Sequence, residues 1–198
     1  MKKTALLLLV ALVLGWAGCS SDSTVEVKNL RLEMKENPLG INVTQPRFSW
    51  QIASGKPDLK QTAYQIQVAA SPEQLESGDG LLWDSGVVRS DESVLVPYAG
   101  KALESGKPYY WRVKLTTNQG DTPWSDAGSW SMALLDDSEW KATWIGEDSL
   151  SNPGEEVGVA GGNNKTRLAA RYLRKEFTTD RAVERAVLYI SGLGSYEA

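Results

Sequence analysis

The carboxylates that could carry out proton transfer in this chain include two adjacent pairs, Asp136-Asp137 and Glu155-Glu156. General acid–base chemistry needs two groups that face one substrate. Neighbouring residues of an extended chain point to opposite faces, so neither pair meets that requirement and both are interpreted as solvated charge. Histidine is absent from the 198 residues, which excludes Ser-His-Asp catalysis, Cys-His catalysis and histidine metal ligands. We therefore expect no catalytic residue and no metal site in this chain.

The glycine-rich stretch at residues 158–166 invites comparison with a phosphate-binding loop. The pattern GxxxxGK[ST] would need glycine at positions 159 and 164, but these are Val159 and Asn164. One cysteine allows neither an internal disulfide nor a paired-cysteine zinc or redox site. The sequence therefore predicts no cofactor.

The single cysteine lies where an export signal would end. Lys2 and Lys3 precede an apolar run that is too short to span a membrane, and small residues lead into Cys19. This pattern resembles the signal of a bacterial lipoprotein, with Trp16 where an aliphatic residue is usual. We predict a signal peptide at 1–18, lipid attachment at Cys19 and a polar tether at 19–24. An ordinary secretory signal with an incidental cysteine is the alternative.

The net charge of the chain limits the kinds of partner that it is expected to bind. Without Lys2 and Lys3, the 21 basic residues become 19 against 25 acidic ones, a formal charge of −6. Nucleic-acid binding needs a basic patch that this sequence lacks, so no nucleic acid is expected. Membrane contact is expected only through the lipid anchor, which indicates a cell envelope lipoprotein at the outer membrane, the cell surface or the periplasmic face.

Tryptophan is abundant, with eight in the chain. Trp50 and Trp111 fall on the inward register of predicted strands and are assigned to the core. Four others lie at strand ends or in connections, where a flat indole stacks on a sugar or packs one domain on its neighbour. We favour packing over sugar binding for this group, which comprises Trp83, Trp124, Trp140 and Trp144.

The elements that would position these side chains are short strands. Apolar residues alternate with polar ones, with turn-forming stretches between the runs, and residues 25–135 therefore read as an antiparallel β-sandwich. A one-residue slip between Val27 and Leu30 indicates a β-bulge in the first strand. The only helical signal is a single turn at 72–75. The predicted fold class is all-β.

The spacing of three residues indicates which type of β-sandwich the sequence predicts. Leu103, Tyr109 and Val113 follow the order Leu-x5-Tyr-x3-Val, and in Ig-like sandwiches such a tyrosine hydrogen-bonds to the backbone upstream. Trp50 would fill the centre between the sheets. This resembles a fibronectin type III-like module, and another seven-stranded sandwich is the alternative.

The character of the sequence changes after residue 135. Residues 136–169 predict a connecting strand at 140–146 and then a Gly/Asn-rich linker. Strand character returns at 170–177 and at 186–190, so 170–198 are interpreted as the truncated start of a second β domain. Two or three strands cannot bury a stable core alone.

Three groups of motifs carry a resemblance to a known family. Together, in this order along the chain, they resemble the N-terminal region of bacterial α-L-rhamnosidases of glycoside hydrolase family 78. The motifs are 37–41 (NPLGI) with 46–50 (PRFSW), then 109–113 (YYWRV), 123–125 (PWS) and 140–146 (WKATWIG), then 173–177 (LRKEF) with 189–194 (YISGLG).

The resemblance implies a fibronectin type III-like module, then a jelly-roll-like β domain, then a helical barrel with the catalytic carboxylates of an inverting hydrolysis. No position of this chain matches those carboxylates, so the chain alone is predicted to be inactive. It would be the non-catalytic accessory region of an exported enzyme that meets rhamnose-containing glycans through its downstream domains. The alternative is a free-standing surface lipoprotein that binds a glycan or a protein partner.

Overall fold

The computed structural model describes residues 25–145 and 173–192. The chain divides into two compact units, residues 1–141 and 142–198. The first unit is a sandwich of a three-stranded sheet, in the order β1-β2-β5, and a five-stranded sheet in which β4, β3, β6 and β7 are neighbours and β8 also pairs with β6. The strands are β1 Glu26–Leu32, β2 Arg47–Ala53, β3 Gln61–Ala69, β4 Trp83–Asp84, β5 Val96–Pro97, β6 Pro108–Thr117, β7 Gly120–Asp121 and β8 Gly128–Ser131.

The long strand β6 shows how alternating apolar and polar residues bury one face of a strand. Its residues alternate between half-buried and buried along the whole strand, as a period of two requires. Tyr109, Trp111, Val113 and Leu115 face the interior, and β3 pairs with this strand in antiparallel register. The predicted all-β sandwich is therefore confirmed.

The predicted bulge in β1 is present. The pairing of β1 with β2 shifts register between Lys28 and Arg31, and Asn29 within that gap has φ = 52°. Asparagine tolerates this left-handed conformation better than most residues. Its side-chain amide donates to the side-chain oxygen Oε1 of Gln51 at 2.7 Å, which fastens the bulge to β2.

Aromatic side chains fill the space between the sheets. Phe48 from β2 lies 4.6 Å from Trp111 of β6, measured between ring centroids. Trp50 is 2% exposed, and its indole N–H donates to the side-chain oxygen of Gln61 at 3.0 Å. A buried polar group needs such a partner. Trp50 and Trp111 are therefore core residues, as predicted.

Tyr109 makes the predicted corner contact. Its hydroxyl oxygen accepts a hydrogen bond from the backbone N–H of Glu104 at 2.7 Å, five residues upstream. Burial raises the pKa of the Tyr109 hydroxyl. This contact fixes the turn that leads into β6.

The chain enters and leaves this unit at opposite ends. Glu26 pairs with Ala53, and the loop after Ala53 bonds to the end of β6 through Lys60 and Asn118 (2.9 Å). The last residue of β8, Ser131, pairs instead with Pro108 at the start of β6. Because β6 has ten residues, the two ends lie roughly 30 Å apart at ~3.3 Å per residue.

Helices are minor in the described residues. The helix α1, Pro72–Ser77, begins at the N-cap Ser71 and ends at Gly78 in the left-handed conformation, so it is longer than the predicted turn. A 3-10 turn follows the sandwich at Asp137–Glu139. No helix within the described ranges is long and apolar enough to cross a membrane.

The connecting strand predicted at 140–146 is not seen at its described residues. In the described structure, residues 140–145 form no strand and are exposed. Residues 173–192 likewise carry no strand, although the pattern predicts strands at 170–177 and 186–190. A second β domain, and the domain boundaries after the sandwich, stay predictions.

Candidate functional site

The described residues contain no group of three or more His, Cys, Asp or Glu side chains that could hold a metal ion. Of the two carboxylate pairs, Asp136-Asp137 lies within the described residues, and the Asp136 side chain is already hydrogen-bonded. The Asp136 side chain accepts the Ser138 backbone N–H at 2.8 Å, and the hydrogen bonds from Ser138 lower the pKa of Asp136. Glu155-Glu156 and the predicted lipid attachment site Cys19 lie outside the described residues.

Trp83 faces the interior of the sandwich. Its ring centroid lies 5.3 Å from Tyr98 in an edge-on contact and 6.0 Å from Phe48 in a stacked one. Gly100 allows this packing, since a Cβ there would lie 2.5 Å from the Trp83 Cβ. Burial raises the pKa of Tyr98 to about 12, and its hydroxyl donates to the Lys101 carbonyl at 2.7 Å. This indole is therefore held by the module's own core.

Trp124 lies on the opposite, outer face of the larger sheet. The guanidinium carbon of Arg112 lies 4.5 Å from the centroid of the Trp124 ring, which is a cation–π contact. Arg112 alternates with the buried Trp111 along β6 and so projects outward. It donates through Nε and Nη2 to the Gln67 oxygen, at 3.0 and 2.8 Å.

Trp124, Arg112 and Gln67 form a row of side chains on the outer face of the sheet, and this row continues to Asp84. Gln65 and Gln67 each donate to one of its carboxylate oxygens at 2.8 Å. Burial raises the pKa of Asp84, but hydrogen bonds from Gln67, Gln65 and the Gly86 N–H, together with the Arg112 charge, bring it below its ordinary value. Burial lowers the pKa of Arg112, and the charges of Glu76 and Asp84 oppose that shift. These groups satisfy one another and hold the Trp124 indole against the sheet.

The other two tryptophans are more exposed. Trp140 follows the 3-10 turn, and 41% of its surface is accessible. Trp144 belongs to the second unit and is 70% exposed. Trp83 and Trp124 occupy opposite faces of one sheet, so these two do not form a common platform. Contact of any of the four with a sugar or a neighbouring domain stays a prediction.

Glu139 has a structural role that the sequence pattern did not predict. Glu139 Oε2 accepts hydrogen bonds from the Ser105 hydroxyl at 2.5 Å and from the backbone N–H groups of Leu135 and Asp136 at 3.1 and 3.2 Å. The Ser105 hydroxyl first, and then these backbone donors, lower the pKa of Glu139. The Asp136-x-x-Glu139 spacing, which is that of a capping box, was the available signal.

Two antiparallel sheets, a tryptophan buried between them and a tyrosine corner define an immunoglobulin-like β-sandwich module. Residues 27–136 match the model of the family described as the Rha78A-like, N-terminal immunoglobulin domain. The chain belongs to this family. The predicted resemblance to the N-terminal region of α-L-rhamnosidases is thereby confirmed.

Two similar proteins are both named α-L-rhamnosidases. The chain is 38% identical over 183 residues to an α-L-rhamnosidase of Formosa agariphila, covering 90% of this chain and 19% of that protein. It is 41% identical over 124 residues to an α-L-rhamnosidase of Streptomyces avermitilis, covering 62% and 12%. The chain thus spans less than a fifth of the length of these relatives.

Solved structures agree with the fold. The S. avermitilis α-L-rhamnosidase complexed with L-rhamnose gives a TM-score of 0.59 at 40% identity, covering 62% of this chain and 12% of that one. The α-L-rhamnosidase from Dictyoglumus thermophilum also gives a TM-score of 0.59, at 35% identity over 63% of this chain and 14% of that one.

Proposed function

We propose that this chain is a non-catalytic accessory region of an exported α-L-rhamnosidase, and that it spaces the enzyme's catalytic domain from the cell envelope. The parent enzyme would hydrolyse terminal α-L-rhamnosides, with inversion, through a barrel downstream. Rhamnose-containing glycans would be partners of those downstream domains. The chain itself would hydrolyse nothing.

One observation carries this proposal. Similarity to α-L-rhamnosidases extends over 90% of the chain but over only 19% of the relative. The fold adds support, because the sandwich receives the chain at one end and releases it at the other. A module built in this way separates the segment on its N-terminal side from the segment on its C-terminal side, by roughly 30 Å at ~3.3 Å per residue of strand.

Activity assays test the catalytic part of the proposal. The purified 198-residue chain is incubated with an aryl α-L-rhamnoside, beside the S. avermitilis enzyme as a positive control. We expect no turnover from the chain and turnover from the control. Turnover by the chain above the blank would overturn the proposal. The genomic reading frame past codon 198 is the second test, and a frame that continues into a helical barrel is expected.

Export and lipidation of the chain are a separate part of the proposal and have their own test. The motivation is the position of Cys19 after an apolar leader and before a polar tether. In a bacterial host, radioactive palmitate should label the chain and the label should be lost in Cys19→Ser. If the Cys19→Ser chain is labelled like the unchanged one, Cys19 is not the attachment site.

A second candidate function has one observation in its favour. Trp140 and Trp144 expose large parts of their indoles, as a free-standing glycan-binding lipoprotein would require. A glycan array with the 198-residue chain separates the two functions. Specific binding that Trp140→Ala or Trp144→Ala abolishes favours the binding module, and an array without signal favours the accessory region.

A further inference from the structure

The chain stays hydrogen-bonded to its neighbours after β8 ends. The backbone N–H of Met132 donates to the Lys107 carbonyl at 3.0 Å, and that of Ala133 donates to the Ile41 carbonyl at 2.8 Å. Gly106 N–H donates in turn to the Ala133 carbonyl at 3.1 Å. Up to Ala133, the departing chain is therefore held between two loops of the sandwich.

The next residues are held by side chains instead of a sheet. The Leu135 side chain packs against the core, and its backbone N–H donates to the Ser105 hydroxyl oxygen at 3.0 Å as well as to Glu139. Ser105 lies in the loop before β6, so the bond between Ser105 and Glu139 joins residues 34 positions apart. The 3-10 turn is thereby fastened to the body of the sandwich.

Nearly all of the backbone N–H groups from Leu135 to Trp140 are used. The donors are Leu135, Asp136, Ser138, Glu139 and Trp140, and their acceptors are atoms of Ser105, Glu139, Asp136 and Asp137. A solvated linker leaves these groups to water. These internal hydrogen bonds favour one conformation of the acidic segment.

Charge would otherwise work against this conformation. Asp136, Asp137 and Glu139 lie within four positions, and like charges so close repel one another. Two of these three carboxylates accept hydrogen bonds from N–H or O–H groups, which offsets the repulsion. Asp137 accepts no such bond through its side chain in the described structure.

We propose that residues 135–140 form a rigid exit joint, in which Glu139 latches onto Ser105 and so fixes the direction in which the chain leaves the sandwich. The latch acts between two loops that the core already anchors, so its loss frees the joint without unfolding the sheets. The exit joint does not depend on the enzyme proposed above, because all of its contacts lie within the first unit.

Hydrogen exchange on the 198-residue chain tests the exit joint, with Glu139→Ala as the probe. Asp137→Ala is the matched control, because it removes the same charge from the same segment but no latch. In Glu139→Ala, the amides of Leu135 and Asp136 should exchange at least about tenfold faster, while those of β3 and β6 keep their protection. In the control, all of these amides should exchange as in the unchanged chain.

Ser105→Ala keeps the test decisive if Glu139→Ala destabilises the whole fold. It removes the other half of the latch and should speed exchange at Leu135 and Asp136 in the same way. At Asp136 the double variant should add little to Glu139→Ala, because the Asp136 N–H donates to Glu139 alone. At Leu135 it should exceed either single change, because that N–H donates to both side chains. Equal exchange in Glu139→Ala and Asp137→Ala, or exchange at Leu135 in Ser105→Ala that matches the unchanged chain, would overturn the exit joint.

Discussion

Gln61 shows how one polar side chain secures the core at the residue scale. Its amide oxygen accepts the indole N–H of Trp50, and its amide nitrogen donates to the carbonyls of Ser90 and Glu92 at 3.0 and 2.8 Å. Gln61 is itself buried. It therefore satisfies the buried tryptophan and fastens the loop before β5 with one side chain.

Replacing Gln61 by alanine should destabilise the sandwich. The change leaves the buried Trp50 N–H and two carbonyl groups without partners, which we expect to lower the free energy of unfolding by about 1–3 kcal/mol. Urea denaturation measures this loss. Gln45→Ala, an exposed change in the β1–β2 loop, is the control and should cost less than about 0.5 kcal/mol. Equal losses in the two variants would contradict the role of Gln61.

Glu33 and Arg47 make the pH-dependent contact of the β1–β2 loop. Glu33 Oε1 accepts from the Arg47 backbone N–H at 2.8 Å and from its Nε at 3.1 Å, while Oε2 accepts from Nη2 at 2.7 Å. The side-chain hydrogen bond with Arg47 is the main cause that lowers the pKa of Glu33 below 4.5. The pair therefore stabilises the fold above the unfolded-state pKa, and this contribution disappears as the pH falls through the folded-state pKa.

Acid melting curves should show this dependence. Glu33→Gln should melt below the unchanged chain at neutral pH, and the difference should shrink as the pH drops below about 4. Glu36→Gln, an exposed change of the same charge in the same loop, should not show that convergence. A difference for Glu33→Gln that stays constant from neutral to acid pH would argue against the ion pair.

At the scale of elements, the contacts of the loop at 37–41 explain the NPLGI motif, which the alternation of apolar and polar residues does not account for. Asn37 accepts the Ser129 backbone N–H through its side-chain oxygen at 2.8 Å, and Gly40 donates to the Ser131 hydroxyl at 3.2 Å. Ile41 bridges to Met132 in parallel. The loop is therefore docked along β8, a pairing between segments about 90 residues apart that no local pattern specifies.

The strands themselves could largely be predicted, because each buries one face. The slip in alternation between Val27 and Leu30 predicted the bulge, which lies between Lys28 and Arg31. The inward position of Trp111 in the alternating pattern predicted its place in the core. Alternation was not sufficient at 140–145, where Trp140 and Trp144 repeat with the period of a strand but no strand among the described residues pairs with them. The row from Asp84 to Trp124 could not be predicted either, since it depends on which strands pair.

Gly128, at the start of β8, should tolerate no side chain. A Cβ there would lie 2.5 Å from the indole nitrogen of Trp111, which is fully buried, so the packing around it would have to shift. We expect Gly128→Ala to cost about 1–3 kcal/mol through overpacking and to alter the near-ultraviolet circular dichroism of the tryptophans. Ser129→Ala, which adds no atom one residue further along, is the control. An unchanged spectrum and stability in Gly128→Ala would contradict this packing.

At the scale of the whole molecule, the first unit carries its own core. Its contacts extend past β8, since Met132 is fully buried, Ala133 bonds to Ile41 and Leu135 packs on the core. The sandwich therefore ends, in physical terms, at the exit joint and not at its last strand. The family match, which reaches residue 136, and the compact unit, which reaches Lys141, agree with this boundary.

Truncation tests that boundary. A fragment of residues 25–141 should unfold cooperatively, with a melting temperature within about 3 °C of the 198-residue chain, because it keeps every core contact of the unit. A fragment of residues 25–131 is the matched comparison. It loses the buried side chain of Met132 and the packing of Leu135, and large buried side chains contribute about 2–5 kcal/mol each when removed, so it should melt well below the longer fragment. Equal melting of the two fragments would place the end of the folding unit at β8, and a non-cooperative transition in the longer one would show that the sandwich needs residues after Lys141.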